Sequence, residues 1–237
     1  MSLILDRGFT IGPGITLDAN YVPTSPTGGS LYFNDNGYII NNTISDIVPG
    51  TGNFTVEWFQ KIDPNTRSNS RIWEIGPWNS TVWGVSEEGD SGSRSFYYWY
   101  TPGSLYNFGN VASTHGVWSH MALIRSSGIV TLYVNGTSVG SANLSNNIPS
   151  AAYQLTIGGE ASGDGLLTGY ITNLRITNNI QYYGNFTPPT SPLTAVTGTV
   201  LLMAAFDEAS MLTDSSGLGH TWTQQLGGAT WSADTPF

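Results

Sequence analysis

A chain of 237 residues, 39% hydrophobic and 12% aromatic, is long enough for one large β-sandwich and rich enough in apolar side chains to fill its core. A net charge of −9, with Lys61 as the one lysine, leaves no basic patch for phosphates or anionic lipid heads and argues against nucleic acid and membranes as partners. The lack of cysteine excludes disulfides, thiolate metal sites and cysteine nucleophiles, and a charged fraction of only 10% leaves Ser, Thr, Asn and Gly to make a neutral polar surface.

Residues 1–27, Gly- and Pro-rich and ending in PTSPTGG, read as an N-terminal arm ahead of a single domain at 28–237. The stretch LILDRGFTIGPGITLD alternates well enough for a hairpin, and an apolar arm of this kind is expected to dock on a partner. The opening apolar run of three residues, followed by Asp6 and Arg7, is too short for a signal-peptide core or a membrane span.

Short β-type runs then follow, separated by Gly, Pro, Asn and Ser clusters. They are SLYFN (30–34), GYIIN (37–41), FTVEWFQKI (54–62), RIWEIG (71–76), TVWGVSEE (81–88) and SRSFYYWY (93–100). Residues 116–142 predict a three-stranded meander, turned at Ser126-Ser127-Gly128 and at Asn135-Gly136, where positive φ is tolerated. YQLTIGG (153–159), GYITNLRIT (169–177), TVLLMAAF (199–206), HTWTQQL (220–226) and ATWSA (229–233) complete the set. Residues 178–186 are expected to hold one helical turn, and TPPTSP (187–192) to run extended across the end of the sandwich. So many short strands without crossover helices predict an all-β, two-sheet antiparallel sandwich.

The run SRSFYYWY places five aromatic residues in succession. A strand would send Phe96, Tyr98 and Tyr100 to one face and Tyr97 and Trp99 to the other, so one set lines the core and the second meets a partner. Saccharides stack their apolar C–H faces on Trp and Tyr rings while nearby amides and hydroxyls read their hydroxyl groups. Tyr97 and Trp99, with Trp78 and Trp83 from a neighbouring loop and strand, are the candidate platform, and Asn79 and Asp90 the candidate polar contacts. A subunit contact or extra internal packing would use the same aromatic surplus.

SLYFNDNGYII, GTGNFTVEWFQKI, the meander, LTIGG and GYITNLRIT together resemble the laminin-G-like, concanavalin A-like lectin/glucanase jelly roll. The tail FTPPTSPLTAVTGTVLLM, with DSSGLGHTWT, resembles the form of that domain carried by virion proteins of phages and aquatic viruses. In many members a DSSG-G-H…GGATW segment opens the domain, whereas here it closes it at 214–231, so the order looks circularly permuted. The resemblance then implies that the last strands pair beside the first.

The glucanase branch of the family relies on two carboxylates held on one strand about 5 Å apart. The nearest match is Glu88-Gly89-Asp90, which lacks the second Glu, so no enzyme activity is expected. His115, His120 and His220 show no metal-ligand or triad spacing, and His120 is expected to be packed or hydrogen-bonded in place. No cofactor is expected. Calcium is the one cation whose preference for loop oxygens fits, through Glu87, Glu88 and Asp90 or through Glu160 and Asp164. The expected role is a non-enzymatic virion surface protein, a capsid decoration or tail-fibre component, whose partners are other virion proteins, copies of itself or a host-surface glycan. A free carbohydrate-binding module is the alternative, and a glycoside hydrolase a third.

Overall fold

The computed structural model describes residues 4–5, 9–10, 28–44, 46–47, 49–76, 83–88, 95–100, 104–110, 114–145, 147–148 and 153–237. In chain order the strands are β1 (Ile4–Leu5), β2 (Phe9–Thr10), β3 (Ser30–Asn34), β4 (Gly37–Ile44), β5 (Phe54–Ile62) and β6 (Ser70–Ile75). There follow β7 (Trp83–Glu88), β8 (Ser95–Tyr100), β9 (Ser104–Asn110), β10 (Ser119–Ser126), β11 (Ile129–Val134) and β12 (Thr137–Asn143). The last are β13 (Tyr153–Ile157), β14 (Thr168–Thr177), β15 (Thr199–Met203), β16 (Thr223–Leu226) and β17 (Thr230–Ser232).

These strands form two antiparallel sheets, as the sequence predicts. The eight-stranded sheet runs β12-β11-β10-β5-β14-β3-β17 with β15 also on β14, and the seven-stranded sheet runs β16-β4-β13-β6-β7-β8-β9. β1 and β2 pair as a separate hairpin within the arm. β9 is a strand that the sequence reading does not contain.

Alternation explains the core. On β5, Phe54, Val56, Trp58 and Ile62 turn inward and are 0% exposed. They meet Trp73, Ile75, Trp83 and Val85 of the opposite sheet, and the tryptophans pack edge to face, Trp58–Trp73 at 6.1 Å and Trp73–Trp83 at 5.1 Å. The outward residues Glu57 and Phe59 are buried too, because residues 178–194 lie as a strap over that face. Phe186 stacks on Tyr182 at 3.6 Å and tilts over Tyr133, while Leu193 packs with Phe59. The strap thus crosses the outer face of the eight-stranded sheet rather than the end of the sandwich. Residues 178–186 form bends and no helical turn, since Ile180, Tyr182 and Phe186 are drawn together onto the sheet.

Asn135 and Gly136 do turn the meander at φ 48° and 77°. A Cβ at Gly136 would lie 1.8 Å from the Phe186 carbonyl oxygen, so the strap fits only over glycine there. The last strands do pair beside the first: β17 with β3 and β16 with β4. Ser30 Oγ donates to the Asp234 carbonyl, Lys61 pairs with Asp234 at 2.7 Å, and Phe237 packs edge-on against Phe59.

Candidate functional site

The aromatic strand β8 pairs with β7 along its length: Tyr97 opposite Ser86, Trp99 opposite Gly84, and Phe96, Tyr98 and Tyr100 opposite Glu87, Val85 and Trp83. Cross-strand partners share a sheet face, so the register puts positions 96, 98 and 100 in line with the core residues Val85 and Trp83. Positions 97 and 99 fall on the outer face. Trp78, Asn79 and Asp90 lie outside the described residues. Trp83 does not belong to a platform: it is 1% exposed and wedged between Phe54 and Trp73, because alternation with Val85 commits it to the core.

On β6 a bulge between Arg71 and Trp73 sets Arg71 opposite Ser86 and Glu74 opposite Gly84. Strict alternation would split Arg71 and Glu74 between faces, and the extra residue brings both to the outer one. Two rows result across the outer face, Arg71–Ser86–Tyr97 and Thr156–Glu74–Gly84–Trp99. Tyr97 lies two strand spacings, about 10 Å, from Arg71.

At the end of these rows a cavity of about 400 Å³ opens between the β5–β6 connection and the loop after β13, lined by Arg67, Asn69, Arg71, Glu160, Asp164 and Gly165 among others. Arg71, 2% exposed, is its anchor: it pairs with Glu160 at 2.6 Å, donates to Asn69 Oδ1, and lies 3.4 Å from Glu74 and 3.8 Å from Glu88. Gly165 closes the wall with φ 58°, and its carbonyl accepts from the Arg71 backbone N–H at 2.8 Å. A Cβ on Gly165 would come within 2.9 Å of Arg71 Cγ and of the Asn69 carbonyl oxygen.

Glu74 is 1% exposed, and neither of its oxygens has a hydrogen-bond partner among the described residues; the same holds for the hydroxyl of Thr156, its neighbour in register. Arg71 satisfies Glu160 first, so burial prevails and pushes the Glu74 carboxyl up to about 8 against the opposing charge of Arg71, with Glu160 adding to the rise. The folded chain therefore keeps a proton that the unfolded chain has lost between the ordinary value of 4.5 and about 8. Stability falls as pH rises through that window and is level above it. Glu74→Gln removes this slope: by denaturant titration the variant is expected to gain roughly 4 kcal/mol on the wild type at about pH 9 and to converge with it near pH 5. Parallel curves for the two proteins would contradict a protonated Glu74.

Of the carboxylates considered for calcium, Asp90 lies outside the described residues, Asp164 is exposed at the cavity, and two others are engaged within the fold. Glu160 binds Arg71 and Ser162, while Glu87 turns into the sandwich, accepting from Gln60 and meeting His115 at 2.5 Å. Among the described residues no three metal-ligating side chains converge. The three histidines each meet a different acidic partner: His115 with Glu87, His120 with Glu57 at 3.1 Å, as expected of a held strand residue, and His220 with Asp214 at 2.6 Å and Asp46 at 2.9 Å. Asp214 also accepts from Leu202 N, Ser216 N and Ser216 Oγ, which accounts for the DSSGLGH segment as a self-tied loop.

Two facing antiparallel sheets, a polar cavity at the rim of one and an aromatic strand in register with it define a lectin-type β-sandwich. Residues 33–180 match the family model of the concanavalin A-like lectin/glucanases superfamily, in its laminin G form, over more than half of the chain; the chain belongs to that family. No curated protein matches the sequence. Among solved structures, the chain is similar to a candidate carbohydrate binding protein from Bacteroides ovatus, with a TM-score of 0.63 at 16% identity over 84% of this chain and 60% of that one. It is also similar to the heptameric SAP-like pentraxin from Limulus polyphemus, with a TM-score of 0.51 at 18% identity over 66% of this chain and 79% of that one. A third likeness is to the enzymatically active domain of tailspike protein 2 from Bacteriophage CBA120, with a TM-score of 0.54 at 15% identity over 78% of this chain and 31% of that one. The chain thus spans less than two thirds of the first and third of these proteins, and identities this low establish a shared fold.

Proposed function

We propose that the protein is a non-enzymatic adhesion component of a virion surface, a capsid decoration or tail-fibre protein, that binds a host-surface glycan on the outer face of its seven-stranded sheet. The observation that carries the reading is the register: Tyr97 and Trp99 occupy the same rows as Arg71 and Glu74, beside a cavity of about 400 Å³. That sets two candidate stacking positions in the rows that lead to a polar cavity. Support for a particle location comes from the resemblance of the tail within 186–223 to virion proteins and from the fold shared with a phage tailspike domain.

Support for a binding rather than a hydrolytic role comes from two of the carboxylates at or beside the cavity, which leave Asp164 without a free carboxyl partner of the kind glycoside hydrolysis needs. Glu74 is 1% exposed and Glu160 is held by Arg71, so neither is placed to attack or protonate a glycosidic bond in solution. The fold shared with the Bacteroides ovatus protein favours a second reading, a free carbohydrate-binding module that uses the same face without a particle. Calorimetric titration of the intact chain with oligosaccharides, with and without Trp99→Ala, tests the binding that both readings require. Binding of labelled protein to particles separates them.

A further inference from the structure

Charge around the cavity is unevenly committed. Arg71 pairs with Glu160 at 2.6 Å, and Arg67 grips Asp35 with two contacts, at 2.5 and 2.6 Å. Asp164 is different: it is exposed, its backbone carbonyl accepts from Glu160 N and its backbone N–H donates to Ser162 Oγ, yet its carboxylate makes no hydrogen bond or ion pair with a described residue. Asp164 feels the charge of Arg67, but Arg67 and Arg71 are each already matched by Asp35 and Glu160, so the Asp164 carboxylate is left as an excess acidic group beside Ser68 and Asn69. The whole chain adds a net charge of −9 behind it.

We infer that this cavity selects saccharides without acidic groups, with Asp164 accepting hydrogen bonds from their hydroxyls. The inference rests on the saccharide reading above and names the ligand class of that site. A sugar carboxylate or sulfate would meet a cavity around which carboxylates outnumber arginines, at short range where the repulsion is least screened. A neutral pyranose would instead offer Asp164 adjacent hydroxyl donors, the arrangement in which a carboxylate bonds most strongly. Because Arg71 and Arg67 are held by their own carboxylates, they supply shape and N–H donors without supplying net positive charge to attract an acidic glycan.

The test is a broad glycan array that includes maltotriose and chitotriose against trigalacturonate and sialyl-lactose, probed with the intact chain and with Asp164→Asn at about 0.15 M salt. Expected is a signal on neutral members at least about tenfold above the acidic ones, and a loss of about tenfold in neutral-glycan affinity in Asp164→Asn, whose surface position leaves the melting temperature unchanged. Acidic glycans bound as tightly as neutral ones, or an unchanged affinity in Asp164→Asn, would overturn the inference while leaving saccharide binding in place. A blank array with folded protein would overturn the saccharide reading itself.

Discussion

A chain ending at Pro192 is expected to have no cooperative thermal transition. The deletion removes β15 from β14, β16 from β4 and β17 from β3, so both sheets lose strands at once. It also removes Val200, Leu201, Leu202, Met203 and Trp222, none more than 9% exposed. At about 2 kcal/mol for each buried side chain, the loss is on the order of 10 kcal/mol, as large as the whole stability of a typical domain. Leu193 N would no longer donate to Asn173 Oδ1, freeing one end of the strap as well. Circular dichroism and a thermal melt of residues 1–192 check this, and a soluble fragment with a sharp transition would show that the C-terminal strands are an accessory.

Replacing Glu57 with Ala is the single substitution expected to cost most. Its carboxylate, 0% exposed, accepts from Arg175 Nη2 at 2.5 Å, from Tyr182 Oη at 2.8 Å and meets His120 Nε2 at 3.1 Å. Burial alone would raise its pKa, but the hydrogen bond with His120 and the charge of Arg175 outweigh burial and hold it below the ordinary value. A carboxyl lowered in this way contributes stability that is present above its unfolded pKa and lost as pH falls through the folded one. Removing it leaves Arg175 and His120 buried without their anion and unties Tyr182 from the sheet, for a loss of about 3–5 kcal/mol and a drop in melting temperature on the order of 10 °C. Pairing Glu57→Leu with Arg175→Met is expected to recover most of that loss, because no lone charge is then left buried. A cost below about 1 kcal/mol in the single variant would mean the strap, and not the ion pair, holds this face.

The strands that were legible in the sequence are those whose alternation and turn chemistry agree. The 119–143 meander carries Asn135-Gly136, and β5 alternates over residues 54–58, so residue type alone places both. The pairing of β16 and β17 with the opening strands was legible only through the family resemblance, since nothing in HTWTQQL names its partner. β9 was missed because SLYNFGN carries a glycine and two asparagines in a strand that alternates weakly. The site was legible in part. Positions 97 and 99 followed from period two, but the role of Arg71 depends on a bulge, which moves it to the face of Glu74 and which no local signal in SRIWEI announces. Trp83 shows the limit of residue type: its ring suits a platform, but alternation with Val85, the rule that sends position 99 outward, commits it to the core. The strap was hidden for a related reason: outward residues such as Phe59 looked like surplus until a loop distant in sequence covered them.

The central claim is that the outer face of the seven-stranded sheet, around β6 to β8, is a saccharide-binding surface. Calorimetry of the intact chain against a glycan found on the array, compared with Trp99→Ala of unchanged melting temperature, tests it most directly. The account predicts measurable wild-type binding that weakens about tenfold or more in the variant, as loss of a stacking ring requires. Equal affinity in the two proteins would contradict it and move the site off this face.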